Sequence, residues 1–133
     1  MISKDTVFHN SRNPYYRSKI GAIKTKENIT LSLLIKNQAQ KNREVKIRFW
    51  IVGEGEKIVD TACITLDSED AELYEGAITA PEEGTLLWYY FIITDEDKTY
   101  FYGNNGEELG GMGELYDHTP PSFQITVYEE TKT

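Results

Sequence analysis

After residue 28, apolar and polar residues alternate with a period of two through most of the chain, as in strands with one face in a core and one in water. Ile29, Leu31, Leu33 and Ile35 alternate with Thr30, Ser32 and Lys36 in the first such run, and Val45, Ile47, Phe49 and Ile51 alternate with Lys46, Arg48 and Trp50 in the second. Further strands are predicted over 57–66, 73–79, 86–94, 98–102 and 122–128. They are separated by the polar segment 37–43 and by Gly53-Glu54-Gly55, Asp67-Ser68-Glu69-Asp70, Pro81-Glu82-Glu83-Gly84 and Asp95-Glu96-Asp97, sequences rich in turn formers. Helical periodicity and internal repeats are absent. The spacing predicts an all-β chain, an immunoglobulin-like antiparallel β-sandwich of about seven to eight strands, with 1–133 as one domain and 28–128 as the sandwich. Residues 1–27 read as an irregular N-terminal segment. Residues 103–121 read as a long glycine-rich loop, a length that usually signals function or ordering by a neighbour.

One strand breaks the alternation. Leu86-Leu87-Trp88-Tyr89-Tyr90-Phe91-Ile92-Ile93 is apolar or aromatic on both faces, so both faces need a partner. In a single small domain the second partner is expected to be another domain or a ligand. If the hairpin at Asp95-Glu96-Asp97 closes with a three-residue loop, Tyr90 faces Tyr102, Ile92 faces Tyr100, and Trp88 continues the stripe. A two-residue loop would turn Tyr100 and Tyr102 to the opposite face. Tyr89, Phe91 and Phe101 are expected in the core, whereas core, domain interface and ligand contact all stay open for Trp88 and Tyr90. Trp50 falls on the Lys46 and Arg48 face of its strand, where an exposed ring serves recognition or simply carries Arg48 in a cation–π contact.

The remaining chemistry is sparse. At 133 residues with 14 Lys and Arg against 22 Asp and Glu, the net charge is −8, which argues against nucleic acid and anionic membrane as partners. A single cysteine, Cys63, excludes an internal disulfide and a paired-thiol zinc site; its apolar context, Ala62-Cys63-Ile64, predicts core packing. No secretory h-region follows Met1 and no apolar run nears the ~20 residues of a membrane span, so the chain reads as cytoplasmic. His9 and His118, the two histidines, lie in polar segments, and no sequence context ties either to a nucleophile. The acidic groups at 67–70 and 95–97 lack calcium-loop spacing and read as solvated turns. Gly103-Asn104-Asn105-Gly106 and Gly110-Gly111-Met112-Gly113 precede no helix that could complete a phosphate site. No cofactor, metal or catalytic residue is expected.

Four groups of residues carry a resemblance. They are Phe8-His9-Asn10-Ser11 with Tyr16-Arg17 and Gly21-Ala22; Trp88-Tyr89-Tyr90-Phe91; Tyr102-Gly103-Asn104 with Gly110-Gly111; and Ser122-Phe123-Gln124-Ile125-Thr126-Val127-Tyr128. In this order the chain resembles the N-terminal β-sandwich of α-amylase and pullulanase-type enzymes of glycoside hydrolase family 13, with Lys19-Ile20 where such domains usually have Pro-Phe. The resemblance implies a C-terminal catalytic (β/α)₈ barrel as partner, whose aspartate and glutamate motifs match no position here. The expected role is therefore a non-catalytic accessory domain that docks on that barrel and contacts α-glucan such as starch, maltooligosaccharide or pullulan. Candidate sugar-stacking or interface rings are Trp50, Trp88, Tyr90, Tyr100 and Tyr102, with Asn104 and Asn105 to bond hydroxyls. A docking domain without a sugar site and a free-standing immunoglobulin-like interaction domain are the alternatives.

Overall fold

The computed structural model describes residues 5–36, 43–66 and 70–129. The N-terminal start, most of the polar segment at 37–43 and most of the acidic turn at 67–70 lie outside the described residues. The strands are β1 (Val7–Phe8), β2 (Ile23–Lys24), β3 (Asn28–Lys36), β4 (Arg43–Ile51), β5 (Gly55–Asp60), β6 (Ala62–Leu66), β7 (Ala71–Thr79), β8 (Thr85–Asp95), β9 (Lys98–Gly103), β10 (Glu114–Tyr116) and β11 (Phe123–Tyr128). Eight of these have five or more residues, and no helix occurs among the described residues. The chain is an all-β sandwich. A four-stranded sheet runs β1-β3-β7-β6, and a seven-stranded sheet runs β10-β9-β8-β11-β2 with β4 and β5 added on the other side of β8. All pairings are antiparallel except β11 with β2.

The long strand β8 organises the larger sheet. β4 pairs along nearly all of one edge, from Arg43 opposite Asp95 to Ile51 opposite Leu87. The other edge is shared, with β11 against 85–89 and β9 against 91–95. Its odd residues Leu87, Tyr89, Phe91 and Ile93 are fully buried between the sheets, against Ile29, Leu31, Leu33, Ile35, Ile47, Phe123 and Ile125. Burial of such side chains is worth about 1.5–3 kcal/mol each. The even residues point away from that core.

Three expectations are corrected here. Residues 57–66 form two strands rather than one: the chain leaves the larger sheet after Asp60 and joins the smaller at Ala62, with the Thr61 hydroxyl donating to the Val45 carbonyl at 2.7 Å. Cys63 is exposed, because β6 is the outer strand of its sheet and Ala62–Thr65 face solvent. Burial against its surroundings and the Glu72 charge push the thiol pKa up, so it stays a thiol. Asp95 is no solvated turn residue: it is 8% exposed, 3.7 Å from Arg43 Nε. The same buried Arg43 side chain donates from Nη1 to Glu72 at 3.2 Å, and Tyr74 OH donates to Glu72 at 2.9 Å. This cluster fastens β4 and β8 to β7 at one end of the sandwich.

Candidate functional site

The hairpin from β8 to β9 decides which rings lie together. Asp95 pairs with Lys98, which leaves a two-residue loop, with Glu96 at φ 57°. That length places Tyr102 opposite Phe91 and Tyr100 opposite Ile93 on the inner face, and Phe101 opposite Ile92 on the outer face. Tyr100 and Tyr102 therefore leave the predicted stripe. Tyr102 is 1% exposed, its phenol pushed up to about 12 chiefly by burial, and Tyr100 packs partly buried against the core. Phe101, expected in the core, is half-buried outside it.

The outer face of the larger sheet is built in cross-strand rows. Glu56 of β5 pairs with Trp50 of β4, Trp50 with Trp88 of β8, and Trp88 with Gln124 of β11. Two indoles thus sit side by side between a carboxylate and a carboxamide. Trp50 is 38% exposed and Trp88 is half-buried. In the next row Ile58, Arg48 and Tyr90 follow one another. The Arg48 guanidinium lies 5.2 Å from the centre of the Tyr90 ring and donates from Nε to Glu56 at 2.8 Å, and Phe101 meets Tyr90 edge-on at 5.9 Å. Arg48 covers Tyr90, which is left 8% exposed. The structure thus brings Trp50, Trp88 and Tyr90 onto one face, and of these three only the tryptophans remain open to a planar ligand.

Asn104 and Asn105 are occupied within their own loop. Asn104 is 5% exposed; its Oδ1 accepts from the Asn105 and Gly110 amides at 2.9 and 3.0 Å, and its Nδ2 donates to the Ser122 carbonyl at 3.3 Å. Asn105 Oδ1 accepts from the amides of Glu107 and Leu109, while its Nδ2 donates to the Gly110 carbonyl. They shape the glycine loop.

His9, in an apparently polar segment, is fully buried between the sheets. A carbonyl can only accept, so the 2.8 Å contact with Ser32 O fixes the proton on Nδ1, and Nε2 accepts from Tyr89 OH at 2.9 Å. Burial, aided by the Arg17 charge, lowers the ring pKa to about 3 despite the Ser32 bond. With both nitrogens engaged, the ring is a neutral tie between β3 and β8. Arg17, 5% exposed, donates to the carbonyls of Lys19, Gly21 and Gln124. The exposed His118 contacts Asp117 at 2.8 Å. No pattern in one sequence distinguishes a buried histidine tie from a loop histidine.

The N-terminal segment and the glycine loop are laced together. Ser11 and Gly111 exchange bonds, Ser11 N to Gly111 O at 3.0 Å and Gly111 N to Ser11 Oγ at 2.9 Å, and Gly113 N donates to His9 O at 3.0 Å. Between them and β11 opens a crevice of about 550 Å³.

The sandwich architecture is shared with cyclomaltodextrinase, on which the chain superposes with a TM-score of 0.64, over 92% of this chain and 19% of that one at 13% identity. In sequence the chain is a relative of one segment of the amylopullulanases. It is 34% identical over 131 residues to the enzyme of Thermoanaerobacter thermohydrosulfuricus and 30% identical over 131 residues to that of Thermoanaerobacterium saccharolyticum, covering 97% of this chain and 9% and 10% of theirs. The chain spans about a tenth of the length of these relatives. No protein-family model matches it. These similarities agree with the resemblance to the sandwich domain of glycoside hydrolase family 13 enzymes.

Proposed function

We propose that this chain is a non-catalytic accessory domain of an α-glucan-degrading glycoside hydrolase, of the family 13 α-amylase and pullulanase type. It packs on the catalytic barrel and binds starch-like α-glucan on its outer sheet face. The observation that carries this reading is the row Glu56, Trp50, Trp88, Gln124, in which two indoles stand side by side outside the core. Indole faces stack on the C–H faces of pyranose rings, joining apolar contact to a polar edge, while Gln124 and Glu56 offer partners for sugar hydroxyls. The names of the relatives, amylopullulanases, supply the class of sugar, and their tenfold greater length supports a partner domain.

Two stacked rings give weak binding, with a Kd on the order of 1 mM, or about −4 kcal/mol. That suffices for a domain tethered to its enzyme, because the link raises effective concentration. The test is calorimetric titration of the chain and of Trp50→Ala and Trp88→Ala with maltoheptaose, both variants being outer-face changes that spare the core. Saturable binding that weakens at least about tenfold in each variant supports the reading. No response up to concentrations on the order of 10 mM rejects the sugar site and leaves barrel docking as the role of the face.

A further inference from the structure

We infer that the crevice between β11, the N-terminal segment and the glycine loop continues the glucan site and holds the end of an α-glucan chain that crosses the tryptophan row; this rests on the glucan reading above. The juxtaposition turns on Gln124. It pairs with Trp88 at the end of the row and also lines the crevice, with Thr126, Ser11, Ile20 and Leu109 around it. Neighbouring strands lie about 4.8 Å apart, so the four-residue row is about 14 Å long. A short oligosaccharide fills that length, and a longer one runs on past Gln124 into the crevice.

The walls carry one exposed cation and one exposed anion, Arg12 and Glu108, and otherwise offer aliphatic and uncharged polar groups that suit a neutral polyol. Ile20 and Leu109 are 43% and 61% exposed and present aliphatic surface for C–H faces. Gln124 and Thr126 add an exposed carboxamide and hydroxyl, and Ser11 Oγ, having accepted from Gly111 N, retains its own proton to donate. The Arg17 guanidinium faces three backbone carbonyls, so it braces the site and is not presented to an anion. Arg12 Nη2 donates to the Leu109 carbonyl across the mouth, and with the Ser11 and Gly111 pair this holds the walls in place before any ligand arrives. Preorganised walls reduce the ordering cost of binding.

The experiment compares Kd values for maltotriose and maltoheptaose, by calorimetry, in the chain and in Thr126→Arg. Thr126 pairs with Leu86 rather than with Trp88, so the arginine fills the crevice and spares the tryptophans. Maltoheptaose is expected to bind about tenfold tighter than maltotriose, more than its extra binding registers alone provide. Thr126→Arg is expected to erase that gain and leave the maltotriose Kd unchanged. Amide shifts of Gly21, Ala22 and Gly110 should move with maltoheptaose and stay still with maltotriose. Equal affinity for the two sugars, or a gain that survives Thr126→Arg, overturns the inference while the tryptophan reading stands. No binding of either sugar overturns both.

Discussion

Acidification should unfold this protein partly through His9, and the size of the effect follows from its surroundings. The ring is neutral and fully buried, its pKa lowered to about 3 from the ordinary 6.5. Below pH 6.5 the unfolded chain takes up a proton at this residue that the folded chain refuses. Stability from His9 is therefore complete above pH 6.5 and lost progressively as pH falls toward 3. Between pH 7 and pH 4.5 the loss covers two pH units at about 1.4 kcal/mol each, or about 2–3 kcal/mol. His9→Gln removes the titration. Its amide cannot serve Ser32 and Tyr89 together as the rigid ring does, so the variant should be less stable at pH 7 by about 1–3 kcal/mol. Urea unfolding of both proteins at pH 7 and pH 4.5 gives a double difference in which the carboxylates common to both cancel. The stability gap between them should shrink or reverse by about 2–3 kcal/mol at pH 4.5. A gap of the same size at both pH values would refute the neutral, buried histidine.

Other substitutions test the corrected roles of the loop and core. A Cβ on Gly113 would lie 2.3 Å from the Gly103 carbonyl and 2.7 Å from Phe123 Cζ, so Gly113→Ala should cost at least about 3 kcal/mol in thermal unfolding; Gly106→Ala, with its nearest neighbour at 4.0 Å, should stay within about 0.5 kcal/mol. Asn104→Ala should lower stability by about 1–3 kcal/mol because the Gly110 and Asn105 amides lose their acceptor; an unchanged urea midpoint would contradict its loop role. Arg43→Ala leaves Glu72 and Asp95 without their buried cation and should cost about 3–5 kcal/mol, read from denaturant midpoints.

The strands were legible because their inward residues recur with a period of two, Leu34 between Leu33 and Ile35 being an exception that packs in a separate cluster with Ala71 and Leu73. Ile29 to Ile35 and Val45 to Ile51 point inward as the sequence pattern says, and the same reasoning put Trp50 outward. For the doubly apolar strand the sequence left core, interface and ligand contact open for Trp88 and Tyr90, and the structure places both on the face away from the core. Their cover is partly internal: Arg48 and Phe101 close over Tyr90, a local arrangement no periodicity reveals. Tyr100 and Tyr102 depended on one residue of loop length, and a one-residue slip moves every side chain of a strand to the other face. Cys63 misled because an apolar triplet at an edge looks like one in a core. Asn104 and His9 carry their meaning through bonds to residues distant in sequence, Ser122, Ser32 and Tyr89, which a single sequence does not show, and Asn105 through a local loop geometry with Glu107, Leu109 and Gly110 that its composition does not specify.

Two-dimensional ¹H–¹⁵N spectra of the indole groups follow Trp50 and Trp88 individually as maltoheptaose is added. Both cross-peaks should move along one saturation curve, and cellobiose, with its different glycosidic linkage, should move them less. Indole signals that stay fixed across the titration would contradict a glucan site on this face.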